Sequence, residues 1–145
     1  MAFDGISISG SGITANRLWM NVIAENLANA QSTVTPQGGP YRSQSVVMAE
    51  GMAPAAGFGQ TLARAATAPG VHVARIVTSP APLRLVYDPA SPLANAAGYV
   101  KKPNVNQVTQ LTDMMVASQS YDANVTALSD AEAADQAALK MGQGV

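Results

Sequence analysis

Any histidine chemistry in this 145-residue chain must use His72, the single histidine, and no thiol chemistry is open to it because cysteine is absent. His72 stands in "GVHVARIV" with neither a serine nor a carboxylate close by to build a Ser/His/Asp arrangement. Its apolar, β-branched surroundings make it an ordinary strand residue. No His/Cys/Asp/Glu set has the spacing of metal ligands. The glycine-rich "GISISGSG" (Gly5–Gly12) follows no strand and lacks the Lys-Ser/Thr of a phosphate loop, so it reads as a flexible tail. Asp130, Glu132 and Asp135 fit a solvated helix face better than a pair of catalytic carboxylates. The Lys101–Lys102 pair in a chain of net charge -1 is too small a basic feature for nucleic acid. The expectation is a protein that is not an enzyme, with no cofactor, no metal, no small-molecule substrate and no nucleic-acid partner.

What has to be explained is hydrophobic surface. Charged residues make up 12% of the chain, about half the usual ~25%, while 48% is hydrophobic, so part of the exterior is not built for water. The length suits one domain with a core. No apolar run approaches the ~20 residues that span a bilayer. "MAFDGISISGSG" has neither a basic start nor a long apolar stretch, so it is not expected to be a cleavable Sec signal peptide. Taken alone, that reads as cytoplasmic.

All nine prolines lie between Pro36 and Pro103. Proline breaks helix interiors and central strands, so the chain divides into residues 1–30 as an N-terminal helix, 31–104 as a β-rich connecting region and 105–145 as a C-terminal helix. In the first, helix proper is expected from Gly12 or Ile13. Ile6, Ile13, Met20 and Leu27 recur every seven residues, with Asn16 and Ile23 on the same seam. Ala15, Leu18, Trp19 and Val22 fall on the back, and the polar strip is Thr14, Arg17, Asn21 and Glu25. A helix so apolar needs more than one partner, and pairing with the other terminal helix alone would leave Trp19 and Val22 wet. In the middle, Pro36–Pro40 has turn chemistry before an apolar run. "GMAPAAGFGQ" reads as a mobile loop, "GVHVARIV" and "LRLVYD" as strands, and "DPASPLANAAGYVKKP" as a long turn-rich passage in which Asp88 can bond its own backbone. The last helix starts near Asn104–Val105 with Asn106 as a plausible N-cap. Its stripe is Leu111, Met114, Ser118, Tyr121, Val125 and Leu128, fading where Glu132 and Asp135 fall on it, and Gly142 and Gly144 end it. The predicted fold is α+β: long terminal helices packed as a coiled-coil-like pair, with a small antiparallel β region between them.

"MNVIAENLANAQST", centred on Asn26-Leu27-Ala28-Asn29, resembles the N-terminal motif of the flagellar axial proteins. "GYVKKPNVN" (Gly98–Asn106) followed by "DMMVASQSYDANV" (Asp113–Val125) looks like the C-terminal half of a short proximal-rod member of that family. "TPQGGPYRSQSVV" and "GVHVARI…YDPASP" match its middle in order and spacing. The chain departs from that pattern at Ala90-Ser91, where Gly-His is usual, around Leu93–Ala94, where an acid is usual, and at Gln119, where a base is usual.

The resemblance implies a structural subunit of the flagellar rod. Such subunits leave the cytoplasm through the flagellar type III export apparatus and polymerise in the periplasm, beside neighbouring copies and other proximal and distal rod proteins. It implies interface residues on both helices: Ile13, Trp19, Met20, Val22, Ile23, Asn26, Leu27 and Asn29 on the first, and Leu111, Met114, Met115, Tyr121, Val125 and Leu128 on the second. Asn26 and Asn29 would end the first helix and set the path into the β region. Leu27, on the apolar stripe, would cost ~2–5 kcal/mol to lose if packed. The alternatives are a self-contained helical interaction module and another short rod protein, although the other short rod protein lacks the Gly98–Asn106 stretch.

Overall fold

The computed structural model describes residues 2–36, 38–51 and 70–142. Six elements follow in order: α1 (Ala2–Ala28), β1 (Gln44–Glu50), β2 (Val71–Thr78), β3 (Arg84–Tyr87), β4 (Tyr99–Lys102) and α2 (Gln107–Gly142). The architecture is α+β. The loop expected at "GMAPAAGFGQ" and the second terminal glycine, Gly144, lie outside the described residues.

The two helices pack antiparallel, and their register can be read from three facing pairs. A Cβ on Gly5 would stand 3.9 Å from that of Ala131, and one on Gly12 would stand 2.9 Å from the Asn124 amide. Asn26 bonds to Gln110. Seven residues forward in α1 is seven back in α2, so the same register sets Trp19 opposite Ala117, which is wholly buried. The seam on α1 is Gly5, Ser9, Gly12, Asn16, Trp19, Ile23 and Asn26, alternating four and three residues. Its counterpart on α2 runs through Gln110, Met114, Ala117, Tyr121, Asn124 and Leu128.

Three expectations are corrected here. Helix begins at Ala2, not at Gly12, because Gly5, Ser9 and Gly12 are the small seam residues that admit α2, and "GISISGSG" is therefore a packing surface, not a tail. The stripe Ile6, Ile13, Met20 and Leu27 is only half-buried and borders the seam. On α2, Met114, Tyr121 and Leu128 are seam residues as expected, but Gln110, Ala117 and Asn124 take the places given to Leu111, Ser118 and Val125. Apolar periodicity picks out the largest hydrophobic residues, whereas close helix approach selects small ones, and amides where each finds a partner.

β1 and β2 form an antiparallel ribbon from Gln44↔Thr78 to Glu50↔Val71, with an irregularity between Val47 and Met48. The ribbon lies along α1. At one end Gln44 is bonded to Asn26. At the other the Val71 amide donates to Ser11 Oγ (2.9 Å). Fifteen residues of helix between Ser11 and Asn26 rise ~22 Å, and seven steps of strand from Gln44 to Gly51 cover ~23 Å, so ribbon and helix match in length. Val22 lies three turns on from Ser11, on the ribbon's side of the helix, and is buried. Trp19 is half-buried. The ribbon, a second partner for α1, covers Val22, and α2 half-covers Trp19 on the seam opposite Ala117, so the expectation that helix pairing would leave both wet is corrected. The polar strip of Thr14, Arg17, Asn21 and Glu25 faces solvent as read from the sequence.

β3 and β4 form a separate antiparallel pair, from Arg84↔Lys102 to Tyr87↔Tyr99. The passage read as turn-rich thus also contains a strand, Tyr99–Lys102. The connection closes on Asn95 and not on the Asp88 side chain: Asn95 Oδ1 accepts from the amides of Ala97 and Tyr99, both at 3.0 Å. Gly98 sits at φ +78°, and a Cβ there would meet the Tyr87 ring at 2.9 Å, so both backbone and space call for glycine. α2 starts at Gln107, two residues later than expected, with Asn106 Oδ1 accepting from the amides of Val108 (3.1 Å) and Thr109 (3.3 Å). That is the N-cap the sequence pointed to.

Candidate assembly interface

Asn26 holds the joint at which helices and ribbon meet. It is 1% exposed, and its side-chain amide is fully used. Nδ2 donates to the Gln44 carbonyl (2.7 Å) and to Gln110 Oε1 (2.6 Å). Oδ1 accepts from the Tyr41 hydroxyl (2.9 Å) and the Gln44 amide (2.8 Å). Two donors and two acceptor sites are all an amide offers, so one residue ties the end of α1 to the Tyr41 loop, the start of β1 and the first turn of α2. Asn29, just past the helix end, gives its amide and its Nδ2 to the Glu25 carbonyl, both at 3.0 Å. Asn104 is a second tie: Oδ1 accepts from the Ser43 amide (2.8 Å) and Nδ2 donates to the Ala81 carbonyl (3.0 Å). Pro103 and Val105 beside it are buried. The two stretches that carry the family resemblance therefore converge on one joint.

Tyr41 was not picked out from the sequence, nor were Gln44, Gln110 or Asn104. The available signal was Asn26, an amide set off the polar strip of α1 beside Ile23 and Leu27, where a buried amide requires partners. Burial pushes the Tyr41 phenol above its ordinary 10.0, and the nearby Glu25 carboxylate adds to the shift. A phenol with a raised folded-state pKa contributes stability in full below pH 10 and loses it as pH climbs through the folded value. Tyr41→Phe is expected to lose about 1–2 kcal/mol at neutral pH and to flatten the alkaline fall. Urea unfolding at pH 7, 9 and 11 checks both, and an unchanged alkaline slope would remove the phenol from that role.

The structure separates the residues expected at an interface. Val22, Ile23 and Asn26 are buried within the chain, while Ile13, Trp19, Met20, Leu27, Asn29, Met114, Tyr121 and Leu128 are half-buried. Leu111 and Met115 are 55% and 65% exposed, Val125 is also exposed, and Val108, missed in the sequence, is 73% exposed. Val108, Leu111 and Met115 lie at intervals of three and four on one helix face. Val108 is nine residues, two and a half turns, from buried Ala117, so it points directly away from α1, with Leu111 and Met115 beside it on the outer face.

A long helix pair that keeps an apolar outer stripe, locked at its base to two small β arms, is a form suited to side-by-side packing of subunits. The family described as the flagellar basal body rod FlgEFG protein C-terminal matches residues 96–141, which hold β4, the Asn104 and Gln110 side of the joint and most of α2. Relatives match over nearly all of their length. The flagellar basal-body rod protein FlgC of Escherichia coli O6:H1 is 44% identical, over 94% of this chain and 94% of that protein. The Salmonella typhimurium FlgC is 42% identical over the same shares, and the Bacillus subtilis FlgC is 35% identical over 98% of this chain and 99% of that protein. These matches define a structural subunit of the flagellar basal-body rod. The chain belongs to the FlgC family of flagellar basal-body rod proteins.

Proposed function

We propose that this chain is a subunit of the proximal rod, delivered unfolded through the flagellar type III export apparatus and assembled in the periplasmic space. It packs there against neighbouring copies of itself and against other proximal and distal rod proteins, in a tubular shaft that carries torque from motor to hook. Its work is mechanical, not catalytic. The observation that supports this most is the stripe of Val108, Leu111 and Met115, which a single chain leaves in water. Such side chains gain about 1.5–3 kcal/mol each when fully buried, and a neighbour's helix can supply that burial. In this reading Leu111, Met115 and Val125 touch neighbours directly. Ile13, Met20 and Leu27 do so at the edge of the seam, while Trp19, Val22, Ile23, Asn26, Asn29, Met114, Tyr121 and Leu128 shape the helix pair that presents them.

Replacing Leu111 and Met115 together by Asp tests it. Both are exposed, so the folded chain should change by less than about 1 kcal/mol, whereas a carboxylate buried in a subunit contact costs far more. The expected result is an exported protein of normal stability in cells whose basal bodies stop without a rod. Complete rods and ordinary swimming would take this stripe out of the interface.

A further inference from the structure

The β3–β4 hairpin carries a second unpartnered surface. Strand alternation puts Leu85, Tyr87, Tyr99 and Lys101 on one face. All four are exposed, and the two tyrosine rings meet edge to face at 5.3 Å between centroids. Val86 and Val100 take the other face, with Val100 buried. Among the described elements neither strand packs on a helix or on the other ribbon. A lone two-stranded hairpin is marginal in water, so this one gains from a cover that its own helices do not give.

We propose that this face of one copy seats on the outer stripe of α2 of a second copy. The inference rests on the rod-subunit reading and names the contact within it. Two features pair the surfaces. The first is charge. The tyrosine face carries one charge, Lys101, since Arg84 and Lys102 take the other face with Val86 and Val100, whereas α2 has five acids before its single base, Lys140, and of these Asp122 lies on the stripe. Asp122 continues the Val108–Leu111–Met115 line two turns beyond Met115, so the apolar stripe ends in a carboxylate as the tyrosine face ends in Lys101. The second is chemistry: an exposed methionine flanked by apolar residues suits an aromatic pair, since thioether sulfur packs favourably against rings. The two patches differ and lie on different elements, so each copy can offer one to the copy before it and the other to the copy after it. Such a head-to-tail contact extends as an open helical series unless its rotation closes a ring, and a shaft requires the open form.

The chain has no cysteine, so introduced ones react alone. Tyr87→Cys copies and Met115→Cys copies are produced together in cells lacking the parent chain, and isolated basal bodies are treated with a short bis-maleimide. The expected result is a cross-linked dimer of this chain in the mixed cells and none in cells making either variant alone. Dimers from a single variant would mean that like patches meet, and would overturn the pairing. Complete rods without dimers would overturn it too, while leaving the rod-subunit reading intact. That reading itself falls only if cells deleted for the chain still build rods. If the cysteine copies fail to assemble, charges decide. Tyr87→Glu alone and Met115→Lys alone should each cut complete rods at least tenfold, and the two changes in one chain should recover most of them. A double variant no better than the worse single would sink the proposal.

Discussion

Asn26→Leu is expected to cost about 3–5 kcal/mol of stability and to leave cells without complete rods. Leucine has the branching and heavy-atom count of asparagine, so the change makes no cavity, but its methyls are bulkier than the amide atoms and crowd partners that sit at hydrogen-bond distance. It removes four hydrogen bonds at a site only 1% exposed. The Gln44 amide and carbonyl, the Tyr41 hydroxyl and Gln110 all lose their partner at once. A buried polar group left unmatched costs ~1–3 kcal/mol. Tyr41 and Gln110 can turn toward water, but the backbone groups of Gln44 cannot move without shifting β1. Asn26→Asp sharpens the test. It keeps both acceptor sites and turns the donor into an acceptor facing the Gln44 carbonyl and Gln110. The Gln110 amide can flip to donate instead; the carbonyl cannot. A carboxylate in this enclosed site also carries a desolvation cost, so Asn26→Asp should be at least as damaging as Asn26→Leu. Urea unfolding of the purified chain and imaging of basal bodies measure the two effects. A loss under 1 kcal/mol with complete rods would mean that the joint does not depend on Asn26.

The elements of this fold were legible where one local rule decides. Proline placement marks both long helices, β-branched runs mark β2 and β3, and Asn106 caps α2 as an asparagine before an apolar run should. β4 was not legible, because Tyr99 and Val100, though strand formers, stand in a four-residue stretch between Gly98 and Pro103 at the end of a turn-rich passage, and its register with β3 makes it a strand. The seam was legible in period and in one of its rows, since Asn16 and Ile23 lie on it and are buried, but its other row was misread in phase. A stripe drawn through Ile6, Ile13, Met20 and Leu27 and one drawn through Gly5, Gly12, Trp19 and Asn26 have the same seven-residue repeat, and they differ by one residue. Hydrophobicity favours the first. Interhelical distance favours the second, because glycine lets the Asn124 side chain come within 3 Å of where its Cβ would be. The joint was half legible: Asn26 was marked as a helix terminator, but its partners come from positions 15, 18 and 84 residues away. Only the folded register brings these together.

That phase error sets up the second large effect, a ranking of two neighbouring apolar residues. Ile23→Ala is expected to cost about 2–5 kcal/mol, and Leu27→Ala less than half as much, although the sequence stripe runs through both and ends on Leu27. Ile23 is a seam residue and one of the two largest side chains buried almost completely. The turn after it holds Asn26, whose bonds fix the helix end, so neighbours cannot collapse into the space that Ile23 leaves. Leu27 is half-buried on the rim of the seam, and water can take the place of its lost methyls. In a single chain the order is therefore Ile23 well above Leu27. In the assembled rod the gap should narrow, because Leu27 belongs to the edge that neighbours cover in the proposed packing. Unfolding of the two variants gives the first order, and counts of complete rods give the second. If Leu27→Ala destabilises the isolated chain more than Ile23→Ala, the register built on Gly12, Trp19 and Asn26 is wrong. If Leu27→Asp leaves rods intact in cells, the covered edge lies elsewhere on α1.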